Sequence, residues 1–122
     1  ATVDRKLGYV SMNGREVFKV AVRSLFDTVS ATLETTRTTP ADIDWVVPHQ
    51  ANIRIVDAVL DKLGIPKEKA VLNIAEYGNT SSASVPVTLD EGIRGGKIRP
   101  GQLVLMMAIG AGMSWGSALV RY

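Results

Sequence analysis

The 122-residue chain contains no cysteine, and it contains a single histidine, His49. The missing thiol excludes disulfides, cysteine-ligated zinc and a thiol nucleophile supplied by this chain. A single histidine also excludes a metal site built from two or three histidines. These residues alone therefore cannot form a thiol-based catalytic site or the common zinc sites that are built from cysteines or several histidines.

Long apolar runs and a strong excess of one charge are also missing. The longest apolar run, Leu103–Ile109, has seven residues, whereas a helix that spans a bilayer needs roughly 20. Ala1–Lys6 lacks the apolar region of a signal peptide, and the net charge is only +2. We therefore expect a cytoplasmic protein that binds neither membrane nor nucleic acid.

The composition that remains is that of one ordinary globular domain, since 46% of the residues are hydrophobic and 21% are charged. Apolar residues at helical spacing predict helices over Glu16–Leu33 and Ile53–Leu63, and a Ser/Thr cluster opens a third predicted helix from Ser81 to Ile93. Apolar and alternating runs predict extended segments at Gly8–Met12, Ile43–Val47, Val71–Ala75, Leu103–Ile109 and Ser114–Arg121.

Alternating strands and helices predict an α/β fold with a mixed, mostly parallel sheet flanked by helices. The last two strands are too close for a crossover helix, so they should form a C-terminal β-hairpin. In such sheets, polar residues just beyond the carboxyl ends of strands tend to form the functional site. Two loops, Pro48–Asn52 and Tyr77–Ser82, fit this description.

His49 and Asn79 are the candidate chemical groups of these loops. An imidazole donates a hydrogen bond or exchanges a proton near neutral pH, and a carboxamide is a neutral donor suited to an oxyanion. Gly110–Gly112 can present backbone N–H groups to a similar charge. Each feature also has a plain structural explanation: a histidine at a helix start, a Gly-Asn turn and a tight hairpin. No nucleophile elbow, dinucleotide fingerprint or phosphate loop is present.

Several stretches closely resemble β-ketoacyl-acyl-carrier-protein synthase III, a family of the thiolase superfamily. The match runs from Gly8 to Tyr122 and is carried by Met12–Lys19, Asp44–Asn52, Gly78–Pro86, Pro100–Leu105 and Ser114–Val120. The resemblance implies that residues 1–122 form the C-terminal half of a thiolase-like condensing enzyme. The half that bears the nucleophilic cysteine would then lie outside this chain, which explains the absent thiol.

The resemblance also implies an activity and its partners. Members of the family start fatty-acid synthesis by condensing acyl-CoA with malonyl-acyl-carrier protein as carbon dioxide leaves. The expected substrates are thioesters of CoA and of acyl carrier protein, with no metal or other cofactor. The complete enzyme is expected to be a homodimer, and this chain should supply only part of its active site.

Individual residues carry over from the family by their positions in these motifs. His49 and Asn79 match the pair that holds the malonyl thioester carbonyl and stabilises the enolate. Ala111 matches the residue whose backbone N–H contributes to the oxyanion hole for the acyl thioester.

Five further residues match positions near bound substrate. Arg54 and Lys19 match basic positions that contact CoA phosphate or the carrier protein. Asn52 and Phe18 match positions near the pantetheine arm, and Met12 matches a position that lines the acyl pocket. For the two basic residues, a solvated helix surface is the simpler alternative.

Two other functions stay open on the sequence. The chain could be a catalytically incompetent fragment or a carrier-protein-binding module. It could also belong to another condensing enzyme of the superfamily, such as a plant-type polyketide synthase or a hydroxymethylglutaryl-CoA synthase. We expect the isolated chain to aggregate or to associate with the missing half, because its sheet should expose an edge and an apolar face.

Overall fold

A computed structural model of the chain describes residues 12–122, so the predicted segment Gly8–Met12 lies outside the described residues except for Met12. The longer elements follow one another as α1 (Gly14–Thr35), β1 (Trp45–Pro48), α2 (Ile53–Leu63), α3 (Ile74–Tyr77), α4 (Ser84–Arg94), β2 (Leu103–Gly110) and β3 (Ser114–Arg121). Single 3-10 turns lie at Pro40–Asp42, Lys67–Lys69 and Ser81–Ala83.

The helices predicted from apolar spacing are confirmed. Helix α1 begins after Asn13, whose side-chain oxygen accepts a hydrogen bond from the Glu16 N–H at 3.4 Å. Its buried residues recur every fourth position and form one stripe: Ala21, Leu25, Val29 and Leu33. Helix α2 ends at Gly64, which adopts a left-handed φ of 71° as the C-terminal cap. The third predicted helix begins as a 3-10 turn and becomes α-helical only from Ser84.

The sheet has the order β1-β2-β3 and is mixed, as predicted. Strand β1 pairs with β2 in parallel, with Trp45 opposite Val104 and Pro48 opposite Met107. Strand β2 pairs with β3 antiparallel from Leu103 opposite Arg121 to Gly110 opposite Ser114, which confirms the C-terminal hairpin.

The strand predicted at Val71–Ala75 is wrong. The chain makes one parallel bridge beside β1, between Val46 and Ala70, and the Val71 N–H donates to the Val46 carbonyl at 2.9 Å. Beyond that point its backbone bonds to the side chain of Gln50 instead of to β1, and it then turns into the short helix α3. The apolar run is therefore a buried connection, because a side chain replaces the neighbouring strand.

Two apolar layers lie on opposite faces of the sheet. Helices α1 and α2 cover one face, where their stripes pack on Val46, Leu105 and Met107. Helix α4 covers the other face at Val47 and Val104 through its partly buried residues Val85, Leu89 and Ile93. The sheet is thus held between helices at β1 and β2, and the loops at the carboxyl ends of these strands are placed by both layers.

On the α4 side, strand β3 is left largely uncovered. Val120 lies opposite Val104, and Ala118 lies opposite Met106, so these residues of β3 share a face with the α4 layer. Ala118 is nevertheless exposed, and Val120 is 44% exposed. The result is an apolar strip of small and medium side chains that faces solvent, which we call the β3 strip (Gly116, Ala118 and Val120).

The burial of the α1 stripe can be tested with two valines of the same helix. Val29 is fully buried and Val20 is 37% exposed. We expect Val29→Ala to lower the free energy of unfolding by about 2 kcal/mol more than Val20→Ala, because it removes buried methyl groups and leaves a cavity. Urea unfolding of the protein measures this difference. The gain in helix propensity is common to both variants, so equal stabilities would contradict the assigned core.

Candidate active site

His49 is placed directly after the end of β1. Its backbone N–H donates to the Met107 carbonyl of β2 at 2.7 Å, so the parallel ladder continues through this residue. The imidazole is half-buried, and this burial lowers its pKa below the usual value near 6.5. The ring is therefore neutral at pH 7, with one N–H to donate and one nitrogen to accept.

Asn79 lies in the loop between α3 and α4. The loop begins at Gly78, whose φ of 67° and ψ of −151° are accessible to glycine and strained for other residues. The Asn79 side-chain oxygen accepts a hydrogen bond from the Ser81 N–H at 2.8 Å, which is an Asx turn. Because this bond uses the acceptor end of the amide, the Nδ2 group is left to donate to another partner.

Ser81 sits in an unusual backbone conformation beside this turn. Its φ is 56°, a left-handed value that costs free energy for a residue with a side chain. The hydrogen bond from the Ser81 N–H to the Asn79 side-chain oxygen stabilises this geometry. Strained backbone of this kind is concentrated at functional sites.

Ala111 lies in the turn between β2 and β3, at the carboxyl end of β2. Among residues 12–122, the non-glycine residues with positive φ are Arg37 and Ser81, so Ala111 has an ordinary φ. The turn therefore does not need glycine at this position, and alanine keeps the backbone N–H available.

One open cavity of about 590 Å³ brings these three residues together. Its walls come from the His49 loop, the Asn79 loop, the start of α4 and the hairpin end of β2 and β3. The lining residues are His49, Asn79, Ser81, Ser82, Val85, Ala108, Ile109, Gly110, Ala111, Ser114, Trp115 and Gly116. The parallel ladder explains the meeting of His49 and Ala111, because the carboxyl ends of β1 and β2 lie at the same edge of the sheet.

The five other predicted site residues do not line this cavity. Phe18 packs against the core cluster of α1 and α2, and Lys19 is exposed on α1. Asn52 caps α2, with its side-chain oxygen accepting from the Arg54 N–H at 2.9 Å. Arg54 is exposed in the first turn of that helix, and Met12 is 72% exposed just before α1. Their roles in binding stay predictions.

The sequence offered no reason to single out Gln50. In the structure its side chain forms hydrogen bonds to several segments around the site. This side chain is fully buried and bonds to residues 71, 73, 74 and 88. A polar residue next to a histidine in a loop resembles any exposed loop residue. Only its burial, which depends on packing, marks it out.

Two features are absent from the described part of the chain. Residues 12–122 contain no group of three or more His, Asp or Glu side chains arranged to hold a metal ion. None of the helices over the same range combines the length and the apolar character needed to cross a membrane.

Comparison with known proteins identifies the fold and its motifs. Residues 33–122 match the family profile described as 3-oxoacyl-[acyl-carrier-protein (ACP)] synthase III C terminal. The chain belongs to the synthase III family. The resemblance predicted from the sequence motifs is confirmed, and so is the thiolase-like α/β architecture predicted with it.

Similar members of the synthase III family are much longer than this chain. The β-ketoacyl-[acyl-carrier-protein] synthase III of Aquifex aeolicus (strain VF5) is 51% identical over 115 residues, which are 94% of this chain and 37% of the relative. The crystal structure of 3-oxoacyl-[acyl-carrier-protein] synthase III from Aquifex aeolicus VF5 superposes with a TM-score of 0.93 at 50% identity, over 97% of this chain and 38% of that chain. The chain thus spans less than two fifths of the length of these relatives.

A solved structure with a different role is also similar. The priming β-ketosynthase of the R1128 polyketide biosynthetic pathway is 40% identical, with a TM-score of 0.80 over 91% of this chain and 34% of that chain. The fold of this chain is therefore shared with an enzyme of a polyketide biosynthetic pathway.

The neutral state of His49 is directly measurable. Because burial lowers its pKa, the imidazole should titrate below the value of about 6.5 found in model peptides. NMR titration of histidine-labelled protein, with His49→Gln to assign the signal, measures the pKa. Stability should fall as the pH drops through this region, since the unfolded chain then binds more protons than the folded one. A pKa at or above 6.5 would contradict the burial seen here.

Proposed function

We propose that the chain supplies the decarboxylation part of a β-ketoacyl-acyl-carrier-protein synthase III, an acyltransferase that condenses acyl-CoA with malonyl-acyl-carrier protein. The observation that carries the proposal is the meeting of a neutral imidazole, a carboxamide and a backbone N–H around one open cavity. All three are neutral hydrogen-bond donors. Neutral donors suit a reaction in which negative charge develops on a carbonyl oxygen.

The proposed reaction begins with the malonyl thioester in this cavity. The bond between the α-carbon and the carboxylate breaks, carbon dioxide leaves, and the electron pair passes to the thioester carbonyl oxygen as an enolate. The imidazole N–H of His49 and Nδ2 of Asn79 donate hydrogen bonds to that oxygen. Neither residue has to remove a proton, so a histidine whose pKa is lowered and which stays neutral matches the task.

The enolate then attacks an acyl group held as a thioester. The α-carbon forms a bond to the acyl carbonyl carbon, the carbonyl becomes an oxyanion, and the thiolate leaves. The backbone N–H of Ala111 stabilises that oxyanion. The chain has no cysteine, so the thiol comes from the part of the protein that the longer relatives contain and this chain does not.

The basic residues at the start of α1 and α2 form the proposed docking surface. Lys19 and Arg54 are exposed near the first turns of these helices. Exposed cations attract the phosphates of CoA and an acidic carrier protein, and the attraction weakens as salt is added. Asn52, Phe18 and Met12 would then contact the pantetheine arm and the acyl chain.

The β3 strip is the proposed contact with the rest of the protein. Its side chains continue the apolar layer under α4, yet they face solvent. Burying this strip against the cysteine-bearing half extends the core across the sheet and brings the thiol to the cavity. Residues 1–122 would accordingly form the C-terminal condensing-enzyme domain of the complete protein.

The role of Asn79 is tested by Asn79→Asp in the full-length protein. The carboxylate still accepts the Ser81 N–H bond, so the loop keeps its turn, but the Nδ2 donor becomes a negative oxygen beside the developing enolate. We expect decarboxylation of malonyl-acyl-carrier protein to fall about 10²-fold or more. Radiolabelled carbon dioxide release measures this rate.

A matched control for this substitution lies at the other end of the chain. Asn13 is exposed and caps α1 through its side-chain oxygen, a role that aspartate fills equally well. Asn13→Asp should leave decarboxylation unchanged. Retained decarboxylation in Asn79→Asp would contradict the assignment of the enolate-stabilising pair.

The β3 strip predicts how the isolated chain behaves. We expect the chain alone to self-associate in analytical ultracentrifugation and to bind the separately produced cysteine-bearing half. Ala118→Glu places a charge on the strip and should weaken both associations, whereas Ala31→Glu on the exposed side of α1 should not. A stable monomer that does not bind the other half would count against this interface.

A condensing enzyme of polyketide synthesis is the second candidate, favoured by the 40% identity to the priming β-ketosynthase. The same donors serve both reactions, so the cavity does not separate them. The choice of carrier protein distinguishes the two functions. The purified full-length enzyme is assayed with the fatty-acid carrier and with a polyketide carrier, each loaded with malonate. A preference for the fatty-acid carrier supports the first proposal.

A further inference from the structure

Gln50 carries a buried amide that uses all of its hydrogen-bonding capacity. The side chain is 0% exposed. Its Oε1 accepts from the backbone N–H groups of Asn73 at 2.8 Å and Ile74 at 2.9 Å. Its Nε2 donates to the Val71 carbonyl at 3.2 Å and to the Thr88 hydroxyl oxygen at 3.1 Å. Two lone pairs and two N–H bonds are thereby satisfied.

These bonds connect the two halves of the cavity. Gln50 follows His49 in the chain, whereas Asn73 and Ile74 begin the short helix α3 that leads to Asn79. The amide oxygen accepts hydrogen bonds from two of the N–H groups at the start of this helix. One side chain thus joins the His49 loop directly to the start of the Asn79 segment.

The far end of the Asn79 segment is anchored on the same residue. The backbone N–H of Gln50 donates to the Ser84 hydroxyl oxygen at 2.9 Å, and Ser84 is the first residue of α4 and is buried. Residues 75–83, which include Asn79, therefore lie between two attachment points that both belong to Gln50.

The anchor is itself held by a wider polar network. The Thr88 hydroxyl donates to the Asn73 side-chain oxygen at 3.3 Å, and Asn73 Nδ2 donates to Glu91 Oε2 at 3.1 Å. Hydrogen bonds from Tyr77 and then from Asn73 lower the pKa of Glu91. A network of this kind is rigid when every member is satisfied and costly when one is removed.

We propose that Gln50 is the positioning residue of the active site, which sets the separation of His49 and Asn79 without touching the substrate. The inference rests on the proposed function of those two residues. It assigns to Gln50 a role in the decarboxylation step, and not in acyl transfer to the cysteine of the other half. Small displacements of donors have large effects on rate, and about 1 Å of misplacement costs about 10²-fold.

The test uses the full-length protein with Gln50→Met, which keeps the volume and removes the amide. We expect the kcat of malonyl decarboxylation to fall at least tenfold with little change in KM, while acylation of the cysteine by acyl-CoA proceeds at the parent rate. Amide hydrogen exchange should also increase over residues 73–79. This last readout does not depend on activity.

Thr88→Val is the matched control for simple loss of a buried polar group. Thr88 is equally buried, and the change removes the two hydrogen bonds of its hydroxyl, to Gln50 and to Asn73, but leaves both bonds from the Asn73 and Ile74 N–H groups to Gln50. If the decarboxylation loss follows the melting temperature in the same way in both variants, Gln50 is only structural and the proposal is overturned. A parallel loss of cysteine acylation in Gln50→Met would overturn it as well.

A second variant, Gln50→Glu, tests the same role of the residue if Gln50→Met does not fold. In Gln50→Glu both acceptor bonds survive, and the protonated acid also supplies one donor in place of Nε2. Its decarboxylation rate relative to the parent should therefore recover as the pH is lowered, with exchange over residues 73–79 close to the parent. A ratio that does not change with pH contradicts the proposal.

The two proposals fail in different ways. If the parent protein does not decarboxylate malonyl thioesters, the proposed function is wrong, and the hydrogen-exchange comparison still decides whether Gln50 anchors the Asn79 segment. If the parent decarboxylates and Gln50→Met does so equally well, the role of Gln50 alone is wrong.

Discussion

The parallel pairing of β1 with β2 is the constraint on which the candidate site depends. It brings the carboxyl ends of two strands to one edge of the sheet, so that His49 and the turn at Ala111 face the same cavity. The pairing is held by apolar layers on both faces, with α1 and α2 on one side and α4 on the other. The hydrogen bond from the His49 N–H to Met107 extends the ladder into the site itself. A shift in this register would separate His49 from the turn at Ala111, and the two would no longer line one cavity.

The third hydrogen-bond donor, Asn79, does not lie at the end of a strand. It reaches the cavity on an irregular segment, and irregular backbone needs hydrogen-bond partners as much as a sheet does. The Gln50 amide supplies them at the start of the segment, and the Gln50 backbone holds its end through Ser84. A fully buried amide is costly unless satisfied, and here it is satisfied on every side. The structure therefore combines a ladder, which places two donors, with a buried polar anchor, which places the third.

The parts of the fold that follow local rules were predictable. The apolar spacing of α1 and of α2 acts within one helix in each case, so its effect is visible in the sequence. The segment Val71–Ala75 was predicted wrongly because its apolar composition describes burial and not backbone pairing. The Val71 carbonyl and the Asn73 N–H, which a strand would use to pair with its neighbour, instead form hydrogen bonds to the side chain of Gln50. That residue is more than twenty positions away in the chain. Periodicity carries no information about such a distant side-chain partner.

The sequence by itself determined the helices, the hairpin, the family motifs and the lack of a thiol in this chain. It also pointed to His49 and Asn79, because both stand in loops that carry family motifs. Only the tertiary structure showed that these residues share a cavity with Ala111, that the predicted binding residues lie elsewhere, and that Gln50 is buried between the two loops. The reason is physical. Helix propensity and amphipathic spacing act over a few neighbouring residues, whereas convergence on a cavity and satisfaction of a buried amide arise only when distant segments pack together.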